Sequence, residues 1–171
     1  MADLSAEAFG EGGCDYMQML VGLISDTHGL LRPEAVEALL GVELILHAGD
    51  VGGPAVLTEL GSIAPVRAVY GNTDSPGEPG LSAQIALRLG GLTIHVSHGH
   101  ELGRPTPERL LKIYSADVIV YGHTHQALVE RSGARLVVNP GAAGPRRFDV
   151  KPSVALLTIE HRHADVRVLW L

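Results

Sequence analysis

The chain has 171 residues, of which 46% are hydrophobic and 19% charged; this balance excludes a disordered chain and suits one domain with a sizeable core. A formal net charge of -6, with no long run of Lys or Arg, argues against an extended nucleic-acid interface or an anionic membrane surface as a partner. No stretch approaches the roughly 20 apolar residues needed to span a bilayer, and Cys14 as the single cysteine precludes an intrachain disulfide and fits a reducing cytoplasm.

Residues 1–18 contain Gly and acidic residues without periodicity and read as a flexible N-terminal extension ahead of a single domain over 19–171. The first basic residue is Arg32, so the positive start of a secretory signal is missing. Met19–Ser25 is an apolar run of buried-strand type. Pro33–Leu40 then suits a helix, with Pro33 in its first turn and Gly41 as its stop. Glu43–His47 reads as a strand, Pro54–Ile63 as a helix and Pro65–Tyr70 as a third strand. This alternation calls for parallel strands joined by helical crossovers.

The second half turns to hairpins. Ile85–Leu89 and Leu92–Val96 flank Gly90-Gly91, a strong turn signal. Pro107–Ser115 reads as a helix and Asp117–Tyr121 as another buried strand. Leu128–Arg131 and Arg135–Val138 form a hairpin through Ser132-Gly133, and Ser153–Glu160 with Ala164–Leu171 a last pair of strands. Crossovers together with hairpins imply two packed sheets with helices outside them.

Five short motifs stand at the ends of these strand-like runs: Asp26-Thr27-His28, Gly49-Asp50, Gly71-Asn72-Thr73-Asp74, His98-Gly99-His100 and Gly122-His123-Thr124-His125. In open α/β sheets the site lies outside the carboxyl ends of the strands. In an extended exit from the first strand, Asp26 and His28 would point the same way. Gly49 and Gly71 would allow a close backbone approach or a positive φ. Each motif alone has a plainer reading, since loop Asp and Asn are common turn formers. His161 and His163 lie among charged residues and read as an exposed hairpin turn, and His47 and His95 as interior histidines.

The five motifs in this order resemble the calcineurin-like metallophosphoesterase superfamily, above all its small YfcE-type phosphodiesterase branch, over roughly residues 19–160. The resemblance implies a four-layer α-β-β-α sandwich with two mixed sheets. It further implies two divalent transition-metal ions: one on Asp26, His28 and His125, the other on Asn72, His98 and His123, with Asp50 bridging. Imidazole and oxygen donors suit Mn²⁺ foremost, or Fe, Zn²⁺, Ni²⁺ or Co²⁺. The implied reaction is attack of a metal-bridging hydroxide on a small phosphodiester or cyclic nucleotide, with Asp50 and Asn72 as catalytic residues and His100 as a further catalytic candidate of this chain's own.

Many members of the superfamily carry histidine where this chain has Thr73, and threonine is no useful acid near neutral pH; His100 is the candidate replacement, with an exposed loop histidine as its other reading. Asp74, which would orient that absent imidazole, must have another partner. Asn139-Pro140-Gly141 resembles a late family segment that shapes the site wall, while Arg32, Arg104, Arg146 and Arg147 read either as substrate contacts or as solvated surface. A phosphomonoesterase is the alternative on the same site. A protein-interaction scaffold, as in the retromer subunit of this fold, is the alternative of another class. The expected partner is a small phosphate ester, and the oligomeric state is left open, a homo-oligomer included.

Overall fold

The computed structural model describes residues 18–147 and 149–171, so the expected N-terminal extension lies outside the described residues except for Gln18. The elements are β1 (Met19–Ile24), α1 (Pro33–Ala38), β2 (Leu44–His47), α2 (Pro54–Gly61), β3 (Val66–Val69), β4 (Leu81–Ser82), β5 (Ile85–Leu89) and β6 (Leu92–Val96). A short 3-10 turn (His100–Leu102) leads to α3 (Pro107–Ile113), β7 (Val118–Val120), β8 (Leu128–Ser132), β9 (Arg135–Asn139), β10 (Ser153–Glu160) and β11 (His163–Trp170). One mixed sheet has the order β11-β10-β1-β2-β3-β4, the other β5-β6-β7-β9-β8.

Within the first sheet β1, β2, β3 and β4 run parallel; in the second β6, β7 and β9 do. These strands are apolar on both faces because both faces are covered. Val21, Leu23 and Leu46 meet Val96, Val120 and Val138 between the sheets. On the outer face of the first sheet Ile24, Ile45 and Ala68 receive Leu39, Val56 and Leu60 from the α1 and α2 regions. On the outer face of the second, Ile119 and Val137 receive Leu110 of α3. The result is the expected α-β-β-α order of layers. Gly22 lets α1 come close, since a Cβ there would lie 2.6 Å from Leu39 Cδ2.

Two elements escape the sequence pattern. β4 is only two residues long, and the 3-10 turn lies among histidine and glycine residues with no apolar periodicity. No helix among the described residues is long and apolar enough to cross a membrane.

His47, at the end of β2, is fully buried, and its Nε2 lies 2.9 Å from Thr27 Oγ1. That hydroxyl donates to the Val51 carbonyl at 2.8 Å, so the imidazole is the donor to Thr27 and its Nδ1 carries no proton. Burial holds the pKa of His47 down to about 4, against the pull of the Asp26 and Asp74 carboxylates. The unfolded chain takes up this proton near the ordinary histidine value, so the contribution of neutral His47 to stability is present above about 6.5, fades as the pH falls toward 4 and is gone below it. The unfolding free energy from denaturant titration should therefore fall across this window by an amount on the order of 3 kcal/mol from this group. His47→Gln, which keeps a donor toward Thr27 but cannot titrate, should show a correspondingly flatter profile.

Candidate metal centre

All seven expected donors come from loops at the carboxyl ends of parallel strands, and the fold brings them together. Asp26 Oδ1 lies 3.2 Å from His125 Nε2 and 4.0 Å from His98 Nε2. His28 Nε2 is 3.4 Å from His125 Nε2 and 3.8 Å from Asp50 Oδ2. His98 Nε2 stands 3.4 Å from Asp50 Oδ2 and 3.2 Å from Asn72 Oδ1, which is in turn 3.0 Å from His123 Nδ1. Asp26, His28 and His125 form one compact donor group, and Asp26, Asp50 and His98 another. Asp26 thus borders both.

The backbone reaches this arrangement by a route the sequence did not suggest. Asp26 and His28 do not leave β1 in an extended conformation; both have positive φ, 54° and 47°. The amides of Asp26, His28 and Gly29 donate to the carbonyls of Gly49, Asp50 and Val51 at 2.8–2.9 Å, continuing the β1–β2 pairing into the loops. That ladder, not strand alternation, points both side chains into the site. Gly71 is required by proximity: a Cβ there would fall 2.0 Å from Asp50 Oδ1 and 2.4 Å from Asp50 N. Gly49 combines φ of 92° with a Cβ position 2.6 Å from the His98 ring.

Several supporting residues were hidden in the sequence. Asp74 accepts the backbone amides of Val51, Gly52 and Gly71 at 2.9–3.0 Å, which answers where its carboxylate goes without a histidine to orient. Asn139 does more than form a wall: its Nδ2 donates to Gly122 O and Thr124 Oγ1 and its Oδ1 accepts from Gly141 N, each at 2.9 Å. It thereby braces the loop carrying His123 and His125. Ser25 Oγ lies 2.6 Å from Asp26 Oδ2, which also accepts the His123 amide. Ser25 had only its position beside Asp26 as a signal, whereas Asp74 and Asn139 were marked by the motifs they stand in.

The electrostatics fit a cation. The 2.7 Å contact of His98 Nδ1 with the Ala48 carbonyl requires the proton on Nδ1. The Nε2 lone pair then faces the oxygens of Asp50, Asn72 and Asp26, an arrangement that only a proton or a metal ion at Nε2 reconciles. Burial opposes charge on His98, but the hydrogen bond to Asp50 and the nearby Asp26 outweigh it and raise its pKa. Burial likewise disfavours ionised Asp50, yet hydrogen bonds from His98 and Thr73 hold its carboxyl well below the usual range. Burial lowers the pKa of His28 and of His123, in the direction of the neutral imidazole that a metal ligand requires. Buried Asp26 Oδ1 has no hydrogen-bond partner among the described residues, and the Nε2 atoms of His28 and His125 converge beside it, 3.4 Å from each other. The donor set therefore fits divalent transition metals.

Other candidates fall at the rim. The His100 ring lies near the site, tilted against its neighbours, with ring centroids 5.3 Å from His98 and 6.4 Å from His123. Thr73 donates its amide to Asp50 Oδ1 at 2.9 Å, and its hydroxyl lies 3.5 Å from His28 Nδ1. Arg32 is engaged with the Gly144 carbonyl, whereas Arg146 and Arg147 are exposed. His95 is buried and stacked on Tyr114, away from the donors.

Residues 19–162 match the calcineurin-like phosphoesterase superfamily domain. A probable metallophosphoesterase of Methanothermobacter thermautotrophicus is 37% identical over 160 residues, covering 88% of this chain and 92% of that protein. Phosphodiesterase YfcE of Escherichia coli K12 is 32% identical over 142 residues, with 69% and 76% covered. Among solved structures, Vps29 of Entamoeba histolytica in complex with Zn²⁺ superposes with a TM-score of 0.76 at 23% identity, over 90% of this chain and 98% of that one; that likeness concerns the fold.

The close approach at Gly71 gives a direct check. Gly71→Ala must push Asp50 from its place, so affinity for a divalent ion, measured by calorimetry, should fall by about tenfold or more. Circular dichroism should show the sheets retained.

Proposed function

The chain belongs to the calcineurin-like phosphoesterase superfamily, and on that premise we propose that it hydrolyses small phosphodiesters, cyclic nucleotides included, at a centre of two divalent metal ions. Asp26, His28 and His125 would hold one ion and Asn72, His98 and His123 the other, with Asp50 shared. The observation that carries this reading is the position of Asp50 Oδ2, between His28 Nε2 at 3.8 Å and His98 Nε2 at 3.4 Å. When bound, such ions supply Lewis acidity toward phosphoryl oxygens and acidify water at neutral pH.

The chain's own residues set the rest. Asp26 and Asp50 would set two carboxylate charges against the four positive charges of two divalent ions, and Asn72 and the imidazoles would add none. The excess would favour an anionic phosphoryl group despite the net charge of -6 on the whole chain. Mn²⁺ heads the candidate metals, with Fe, Zn²⁺, Ni²⁺ and Co²⁺ compatible with the same donors. Thr73 offers no acid to a leaving group, which favours esters whose alcohol departs unaided. His100, beside His98 and His123, is assigned the role of proton donor toward the substrate.

The likeness to Vps29 is the basis for the scaffold alternative. The complete set of seven donors favours hydrolysis over it, and the retained phosphodiesterase resemblance favours diesters over monoesters.

Purified protein loaded with Mn²⁺, Ni²⁺, Co²⁺ or Zn²⁺ should hydrolyse bis(para-nitrophenyl) phosphate faster than the monoester. Absence of turnover in folded, metal-loaded protein would overturn the enzymatic assignment. Asp50→Ala should lower the rate by more than about a hundredfold; an active variant would refute the shared-ligand role. Along a series of leaving groups, Thr73→His should accelerate poor ones by about a hundredfold while His100→Ala slows them by about as much. Parallel rate profiles in all three proteins would remove both residues from leaving-group chemistry.

A further inference from the structure

β11 is the outermost strand of the first sheet. It pairs with β10 without interruption, from Glu160 opposite His163 to Ser153 opposite Trp170. Its other side meets no strand among the described residues. Such an edge presents a row of unpaired amides and carbonyls to any complementary strand. β11 holds neither a proline nor a bulge, two of the usual means of blunting an edge.

Backbone geometry decides which residues face outward. The Leu171 amide donates to the Pro152 carbonyl at 2.9 Å. In an antiparallel ladder this direction alternates, so Leu169, Arg167 and Asp165 turn their backbone groups toward β10. Those of Ala164, Val166, Val168 and Trp170 turn away from the sheet. The Ala164 carbonyl does so visibly: it accepts Arg131 Nη2 of β8 at 2.7 Å, and a carbonyl has a second lone pair to offer. Side chains alternate as well. Val166 and Val168 pack toward the layer between the sheets, and Trp170 follows on that face, 56% exposed. Asp165 and Arg167 are exposed on the other face, where neither side chain makes a hydrogen bond or ion pair among the described residues.

We propose that the β11 edge is the interface of a two-fold homodimer, in which β11 pairs antiparallel with β11 of a second copy. The choice of occupant follows from the charges. With Val166 on the two-fold axis, Asp165 of each copy faces Arg167 of the other, and Ala164 faces Val168. The two acid–base pairs fall at non-hydrogen-bonded positions, where facing side chains come closest. A shift of the axis by one residue either way sets Asp165 against Asp165 or Arg167 against Arg167, and like charges directly opposite are destabilising. The strand thus carries the complement of its own charge pattern, as a self-complementary two-fold contact requires. Pairing joins the two six-stranded sheets into one. Because the paired strands run in opposite directions, the sheet edges that carry the metal donors point to opposite ends of the dimer.

The test uses the full chain in sedimentation equilibrium over a dilution series. The wild type should sediment as a dimer that dissociates on dilution. Asp165→Arg and Arg167→Asp each turn both ion pairs into like-charge pairs, and each should raise the dissociation constant by about tenfold or more. Asp165→Arg/Arg167→Asp exchanges the charges and should restore association to the wild-type level. Trp170 is the single tryptophan, and its emission in the wild type should shift to the red on dilution with the same midpoint. A wild type that is monomeric throughout would overturn the proposal. Single variants that are folded by circular dichroism and associate like the wild type would overturn it too, as would a double variant that stays dissociated or a Trp170 emission indifferent to dimerisation.

Discussion

One buried carboxylate ties the first half of the site together. Asp74 Oδ2 accepts the amides of Val51 and Gly71, and its Oδ1 accepts that of Gly52. These are charge-assisted bonds, stronger than neutral ones. They join the loop after β2 to the loop after β3, so Asp50, one residue before Val51, and Asn72, one residue after Gly71, keep a fixed separation. Thr73 closes the arrangement by donating its amide to Asp50 Oδ1. With that oxygen occupied, Oδ2 is the one presented to His28 and His98.

The donors divide between the sheets in a telling way. The first sheet supplies every oxygen donor, Asp26, Asp50 and Asn72, along with His28. The second supplies only imidazoles, from His98, His123 and His125. The second sheet by itself offers no oxygen donor and the first only one imidazole, so each three-donor group with its mixed set draws on both sheets. The packing of Leu23 and Leu46 against Val96, Val120 and Val138 therefore does more than stabilise the fold. Interiors are close-packed and pass small displacements on, so this layer sets how far apart the two halves of the site stand.

How much of this was legible depended on the kind of signal. Strands buried on both faces announce themselves as apolar runs, and Gly90-Gly91 marked its hairpin. Every expected donor reached the site for the same reason: strand ends are easy to find, and parallel strands share one carboxyl edge. The conformation of Asp26 and His28 was misread, because alternation is a rule of extended chain and these residues belong to a loop-to-loop ladder. Asp74 and Asn139 were visible as residues but not as braces, since the bonds that tie them to other loops, to Val51, Gly52 and Gly122, go to backbone amides and carbonyls that leave no mark on residue type. β4 was too short to carry any period.

That ladder also bears on the strain in the site. Seven described non-glycine residues have positive φ, and five of them are candidate ligands: Asp26, His28, Asp50, His123 and His125. The left-handed region costs an L-residue about 1–2 kcal/mol, and such strain persists only where the surroundings over-determine it. Glycine would relieve it but carries no donor atom, so the chain keeps Asp and His at these positions and places Gly29 and Gly49 directly beside them. The turns hold because each is fixed by hydrogen bonds external to itself: the carbonyls after β2 for Asp26 and His28, Asp74 for the loop around Asp50, and Asn139 for the loop of His123 and His125. The chain's own contacts thus meet the cost of ordering these loops during folding. Donor atoms already converged in this way need little further ordering when a ligand binds, and preorganisation of that kind is converted into affinity.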